Sequence, residues 1–116
     1  MALTAKVLAA ASLEATANTV VYGPNQGKSA LISSVFLTND SGSAITIHIG
    51  VRAAAGGTFA YIFPSSVQLG ANASLVFSDE LTLAFFNGAA SGDRLEIWAA
   101  TSNTVQCVVC GIERDL

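Results

Sequence analysis

The chain has 116 residues, 52% of them hydrophobic and only 11% Asp, Glu, Lys or Arg, with a formal net charge of −3. Ordinary globular domains are about 25% charged, so much of this outside must be apolar or small and neutral, a surface that attracts other surfaces. The acidic balance and the scattered bases Lys6, Lys28, Arg52, Arg94 and Arg114 exclude the basic footprint of a nucleic-acid binder, and no apolar run approaches the roughly 18 residues of a membrane helix.

This length suits a single domain, 1–116, able to bury about two-thirds of its unfolded surface. Residues 1–18 form an Ala-rich arm or first strand, whose longest apolar stretch, Val7 to Leu13, is ended by Glu14. Lys6, that stretch and the small residues Ala15 and Ala17 faintly resemble a secretory signal. The apolar part is short and no positive cluster precedes it, so an arm or first strand is the expectation, with Leu3, Val7 and Leu13 as its contact residues.

The body, 19–116, is punctuated like an all-β domain. Thr19 to Tyr22 is a short strand running into the turn Gly23 to Gly27, and Ala30 to Thr38 is rich in β-branched and aromatic residues. The turn Asn39 to Ser43 is made of residues that tolerate left-handed backbone. Beyond it Ile45, Ile47, Ile49 and Val51 alternate with Thr46, His48, Gly50 and Arg52, which predicts one buried face. These two segments are expected to pair as an antiparallel hairpin.

Phe59, Tyr61 and Phe63 follow on one face until Pro64, which cannot donate to a ladder. Leu75 and Phe77, then Leu81, Leu83 and Phe85, share faces on either side of Asp79-Glu80. The segments Arg94 to Ala100 and Val105 to Glu113, joined by Thr101 to Thr104, predict a second hairpin. The sum is an antiparallel β-sandwich, jelly-roll-like, of about eight strands.

Cys107-Val108-Val109-Cys110 has the spacing of redox or zinc motifs, but it lies inside a strand. There, side chains three apart face opposite ways with Cα atoms roughly 10 Å apart, beyond disulfide reach. No second pair completes a zinc site, so two buried free thiols are expected. His48, the only histidine, falls on the polar face with no nucleophile or carboxylate marked beside it, as general-base chemistry needs. Asp79-Glu80 read as turn acids, Asp93 and Glu96 as rim charges around Arg94. The loop Gly88 to Gly92 lacks the lysine of a phosphate cradle. No cofactor, metal or catalytic residue is expected.

Trp98 falls on the outer face with Arg94 and Glu96, opposite Leu95 and Ile97. Tryptophan and arginine there are typical of interface hot spots; equally, that second face is itself covered. In Val105 to Ile112 both faces are apolar apart from Gln106, so the strand lies between layers or awaits another chain.

From Thr19 onward the chain resembles small β-sandwich structural proteins of tailed bacteriophages. The likeness is carried by Val20-Val21-Tyr22-Gly23-Pro24-Asn25-Gln26-Gly27-Lys28, by Ala30 to Val35 with the Asn39-Asp40-Ser41 turn and the alternating Ile45 to Val51, and by Leu69-Gly70-Ala71-Asn72-Ala73-Ser74-Leu75. The Pro24 to Lys28 turn is one residue longer than the usual form. The resemblance implies a non-enzymatic virion protein, assembled in the host bacterial cytoplasm. Its implied role is capsid decoration (cement), as a trimer or other symmetric oligomer binding itself and the major capsid or other virion proteins. The candidate contacts are then Leu3, Val7, Leu13, His48, Arg52, Tyr61, Arg94 and Trp98. The alternative is a tail, baseplate or tail-fibre module recognising a host-surface glycan, though the loops carry no aromatic tip for a sugar.

Overall fold

The computed structural model describes residues 6–54, 57–65, 67–78 and 80–116. The strands are β1 (Lys6–Ser12), β2 (Val20–Tyr22), β3 (Lys28–Asn39), β4 (Ile45–Arg52), β5 (Phe59–Tyr61), β6 (Gln68–Leu69), β7 (Ser74–Phe77), β8 (Leu81–Phe85), β9 (Arg94–Ala99) and β10 (Val105–Asp115). They form two antiparallel sheets. The first runs β1-β10-β3, with β7 and β8 sharing the far side of β3; the second runs β2-β9-β4, with β5 and β6 sharing the far side of β4. Ten segments therefore fill eight strand positions, four to a sheet, in the order of a jelly roll. The fold is a β-sandwich.

Neither predicted hairpin forms. β3 lies in the first sheet and β4 in the second; β9 lies in the second and β10 in the first. Both turns carry the chain across the sandwich instead of back along one sheet. Asn39 makes the first crossing, buried with its amide donating to the carbonyls of Ser43, Leu69 and Gly70 at 2.9 to 3.0 Å. Its side-chain oxygen accepts from the Ser41 amide and hydroxyl. At the second crossing Asn103 takes a positive φ of 62° and its amide donates to the Leu13 carbonyl, so the tip of the turn is tied to the end of β1.

The core is the alternating inner set of both sheets, with Ile32, Val35, Leu37, Ile47, Ile49 and Ile97 all but sealed from water. Leu13 belongs to it at 1% exposure, so this predicted arm contact is a core anchor. Val7 is open to water at 58%, and Leu3 lies outside the described residues. Phe63 leaves the face shared by Phe59 and Tyr61 and meets Phe77 edge-on, 5.5 Å between centroids. The chain turns after Tyr61, so the alternation ends there.

β3 and β10 pair along their whole lengths, from Val105↔Asn39 to Asp115↔Lys28, with one shift in register between Cys110 and Gly111. Ser33 is the extra residue, a β-bulge. Below it Ala30 and Ile32 point inward; above it Val35 and Leu37 do. Continuous alternation from Ala30 would have sent Phe36 into the core. Gly111 permits the shift, because a Cβ there would strike the carbonyl of Leu31.

Candidate interaction faces

Each sheet has one face on the core and one outward, and the two outward faces differ in chemistry. On the second sheet, cross-strand register sets His48 beside Trp98, Gly50 beside Glu96 and Arg52 beside Arg94. Imidazole and indole stack with centroids 4.8 Å apart and planes 12° from parallel. Phe59 tilts onto the indole at 5.3 Å, and Tyr61 meets Phe59 edge-on at 4.9 Å, arrangements that suit aromatic quadrupoles. β5 reaches in this far because β4 carries glycine at position 50, where a Cβ would collide with the Phe59 ring and the Ala60 carbonyl.

Next to the rings lies an ionic knot. Glu96 is 1% exposed. Its carboxylate accepts from Arg52 Nε at 2.8 Å, Arg94 Nε at 3.1 Å and Asn18 Nδ2 at 3.1 Å. Arg52 also donates to the Gly57 carbonyl at 3.0 Å and stands 5.8 Å from the Phe59 ring centre. Burial alone would push the Glu96 carboxyl up, but these hydrogen bonds and the Arg52 charge outweigh it and hold the carboxyl below its usual range. The rim charge expected at this position is thus the buried centre of a network.

Five predicted contact residues, His48, Arg52, Tyr61, Arg94 and Trp98, therefore share one face. The middle of that face is satisfied from within, Trp98 being 9% exposed and covered by this chain's own rings, whereas Tyr61 at its side is 48% exposed. His48 Nδ1 is buried with no hydrogen-bond partner among the described residues. Its ring touches aromatic neighbours, and no carboxylate of the described residues orients it.

The outward face of the first sheet is the opposite case. Register lines up Ala10, Val108, Phe36 and Val76 as one row across four strands, with Phe36 41% and Val76 51% exposed. A second row holds Val7, Cys110 and Ser34, and a third Ile112, Leu31 and Thr82. At one end Ser12 bonds Gln106 at 2.9 Å and Thr38 meets Ser74 at 3.3 Å. At the other, Arg114 donates to the Ser29 hydroxyl at 3.3 Å beside a shallow depression of about 230 Å³ lined by Leu31, Thr82 and Ile112. Strand alternation puts no other charge of the described residues on this face. The sequence signal for it was the two-sided apolar pattern of β10; the contribution of Phe36 was hidden by the Ser33 bulge.

The two cysteines are free thiols. Cys107 faces the core, and burial pushes its thiol up to about 12. Cys110 is half-buried on the outward face, where burial of both had been expected. Where the sheets meet at one end, the Tyr22 hydroxyl donates to Glu113 Oε2 at 2.6 Å and Lys6 approaches Glu113 Oε1 at 2.9 Å, which ties β1, β2 and β10. Among the described residues no three His, Cys, Asp or Glu side chains gather as a metal site.

No family model and no curated protein matches the chain. A solved structure from Bacillus, described by the finding that endospore appendages form a family of disulfide-linked pili, is similar in fold. Its TM-score is 0.52 at 19% identity, over 98% of this chain and 88% of that one. The likeness is one of overall fold.

Proposed function

We propose that this chain is a non-enzymatic structural subunit that packs among copies of itself and partner proteins in a larger particle. The observation that carries the reading is the sparsely charged outward face of the first sheet, where Phe36, Val76 and Val7 stand in water on a chain that is only 11% charged. Hydrophobic surface of that continuity marks interaction sites. The phage-like turns favour a virion, and within it the role of capsid decoration protein in trimers or another symmetric group, reinforced by avidity across the shell. No cofactor, nucleic acid or membrane enters the reading. Its test is addition of the purified chain to heads lacking it: saturable binding at a fixed number of copies, with heads made more resistant to heat, is the expected outcome. Absence of binding to heads, necks or tails would remove the virion.

A second reading is a subunit of a pilus-like filament, favoured by the likeness in overall fold to the appendage protein. Electron microscopy of the concentrated protein separates the two, since filaments form in one case and discrete oligomers in the other. Non-reducing electrophoresis adds a chemical criterion. Cys107 is sealed in the core, so a covalent link through this chain's cysteines has only Cys110 to use.

A further inference from the structure

We infer that the outward face of the first sheet packs against the same face of a second copy of this chain, about a two-fold axis that passes near Cys110. The inference rests on the self-associating subunit proposed above and names the surface and the partner.

Size is sufficient. Four strand positions at about 4.8 Å spacing and the eleven residues of β10 at about 3.3 Å each give the sheet a face of roughly 700 Å² in projection, more in accessible area because side chains protrude, and a standard interface needs roughly 800 Å² from each partner. The contact uses the whole face.

The chemistry suits a copy of itself. A two-fold contact sets each patch against its own image, so a patch with several like charges would repel itself; among the described strand residues alternation places only Arg114 on this one, at one end. An axis in the plane of the face and perpendicular to the strands relates the two ends. The Val7–Cys110–Ser34 row then lies at the centre, because it is two positions along β10 from Val108 and two from Ile112. The row with Phe36 and Val108 comes to rest on the Leu31–Ile112 row of the second copy. Arg114 lands on the other copy's end of Ser12, Gln106, Thr38 and Ser74, whose oxygens accept its donors. Both Arg114 side chains are kept apart, and Phe36 meets an apolar row.

On the outward face of the second sheet the exposed apolar side chains, Val20 and Tyr61, stand on opposite strands with the Glu96 ion-pair network between them, so they do not join into one apolar patch. Sheets packed face to face bury their pleated surfaces about 10 Å apart, so the contact adds a third and fourth layer without using any strand edge. It leaves the edges free for contacts of other symmetry.

The test is mass by light scattering across a concentration series, for the full chain and for Phe36→Asp and Val76→Lys. The two variants lie on different strands of one row, and circular dichroism verifies that each is folded; Val76, the more exposed, serves if Phe36→Asp does not fold. The expected result is a wild-type mass that halves in both variants at low micromolar concentration, with at least a tenfold weaker association. Sheets about 10 Å apart hold the two Cys110 thiols beyond direct S–S reach, so a short bismaleimide, each maleimide adding one thiol S–H across its C=C bond, should join two wild-type chains and leave Cys110→Ser unlinked. Wild-type mass in both variants overturns this face while the self-associating subunit stands. A dimer that the bismaleimide fails to link overturns the two-fold. Protection of Cys110 from alkylation only when a different virion protein is added assigns the face to that protein instead. A wild-type chain that stays monomeric at hundreds of micromolar overturns both the face and the subunit reading.

Discussion

The two outward faces of the sandwich answer the same question differently. A sheet with one face on the core must do something with the other. The second sheet covers the middle of its own, leaving Val20 and Tyr61 open at the sides: Gly50 makes room, β5 folds Phe59 over Trp98, and Arg52, Arg94 and Asn18 converge on a buried carboxylate. The first sheet leaves valine, phenylalanine, leucine and isoleucine facing out beside hydroxyls. A polar network kept dry must be complete, because an unpaired buried group costs more than a completed bond contributes. It therefore fixes one conformation within one chain. An apolar face has no such requirement and can be completed by a neighbour.

The contrast is sharpest in what substitutions do to the dissolved monomer. Trp98→Ala should have the largest effect, about 3–4 kcal/mol from lost burial and the cavity beneath the rings, read as a lower urea midpoint. If it costs no more than an ordinary surface change, the second face is not self-covered. Glu96→Ala comes next at about 2–3 kcal/mol, since it leaves two guanidinium groups without their shared anion. Both arginines keep a path to water, which holds the cost below that of a fully enclosed pair.

Titration provides a third check. The folded pKa of Glu96 is depressed, and so is that of Glu113, which the Tyr22 hydrogen bond and Lys6 hold down. Their contribution is complete above the ordinary carboxylate value of 4.5 and is lost as pH falls through the lower folded values. Stability should therefore drop in acid, and Glu96→Gln should flatten that limb of the profile. Tyr22 behaves oppositely. Burial, then the bond to Glu113 and its charge, raise its phenol above 10.0, so its contribution is full below pH 10 and disappears as pH climbs through the folded value. Tyr22→Phe should cost about 1 kcal/mol at neutral pH and remove that alkaline loss. A profile unchanged in Tyr22→Phe would sever the tie between β2 and β10 from stability.

The smallest effect belongs to the other face. Phe36→Ala, measured where the chain is monomeric, should shift stability by no more than about 0.5 kcal/mol, even though it is a phenylalanine at the middle of the longest strand. A loss near that of Trp98→Ala would mean that Phe36 is part of the fold after all.

Residue order alone determined the all-β class, the positions of the turns, and the inward and outward sets of β4 and β9, because alternation records which side of a strand meets the core. It put His48, Arg52, Arg94 and Trp98 on outward positions, and the sandwich brings them together. Alternation does not record which strand lies alongside and which lies across. A residue facing inward looks the same whether the next strand continues its own sheet or crosses to the other, so both expected hairpins became crossings. Nor does it carry its own phase through a bulge: Ser33, held opposite Gly111, decided that Phe36 faces out and Val35 in. The burial of Glu96 and of Leu13 was likewise decided by partners far along the chain. Local sequence sets the in-and-out pattern of a strand, whereas long-range contact chooses its neighbours and therefore which surface is left for another molecule.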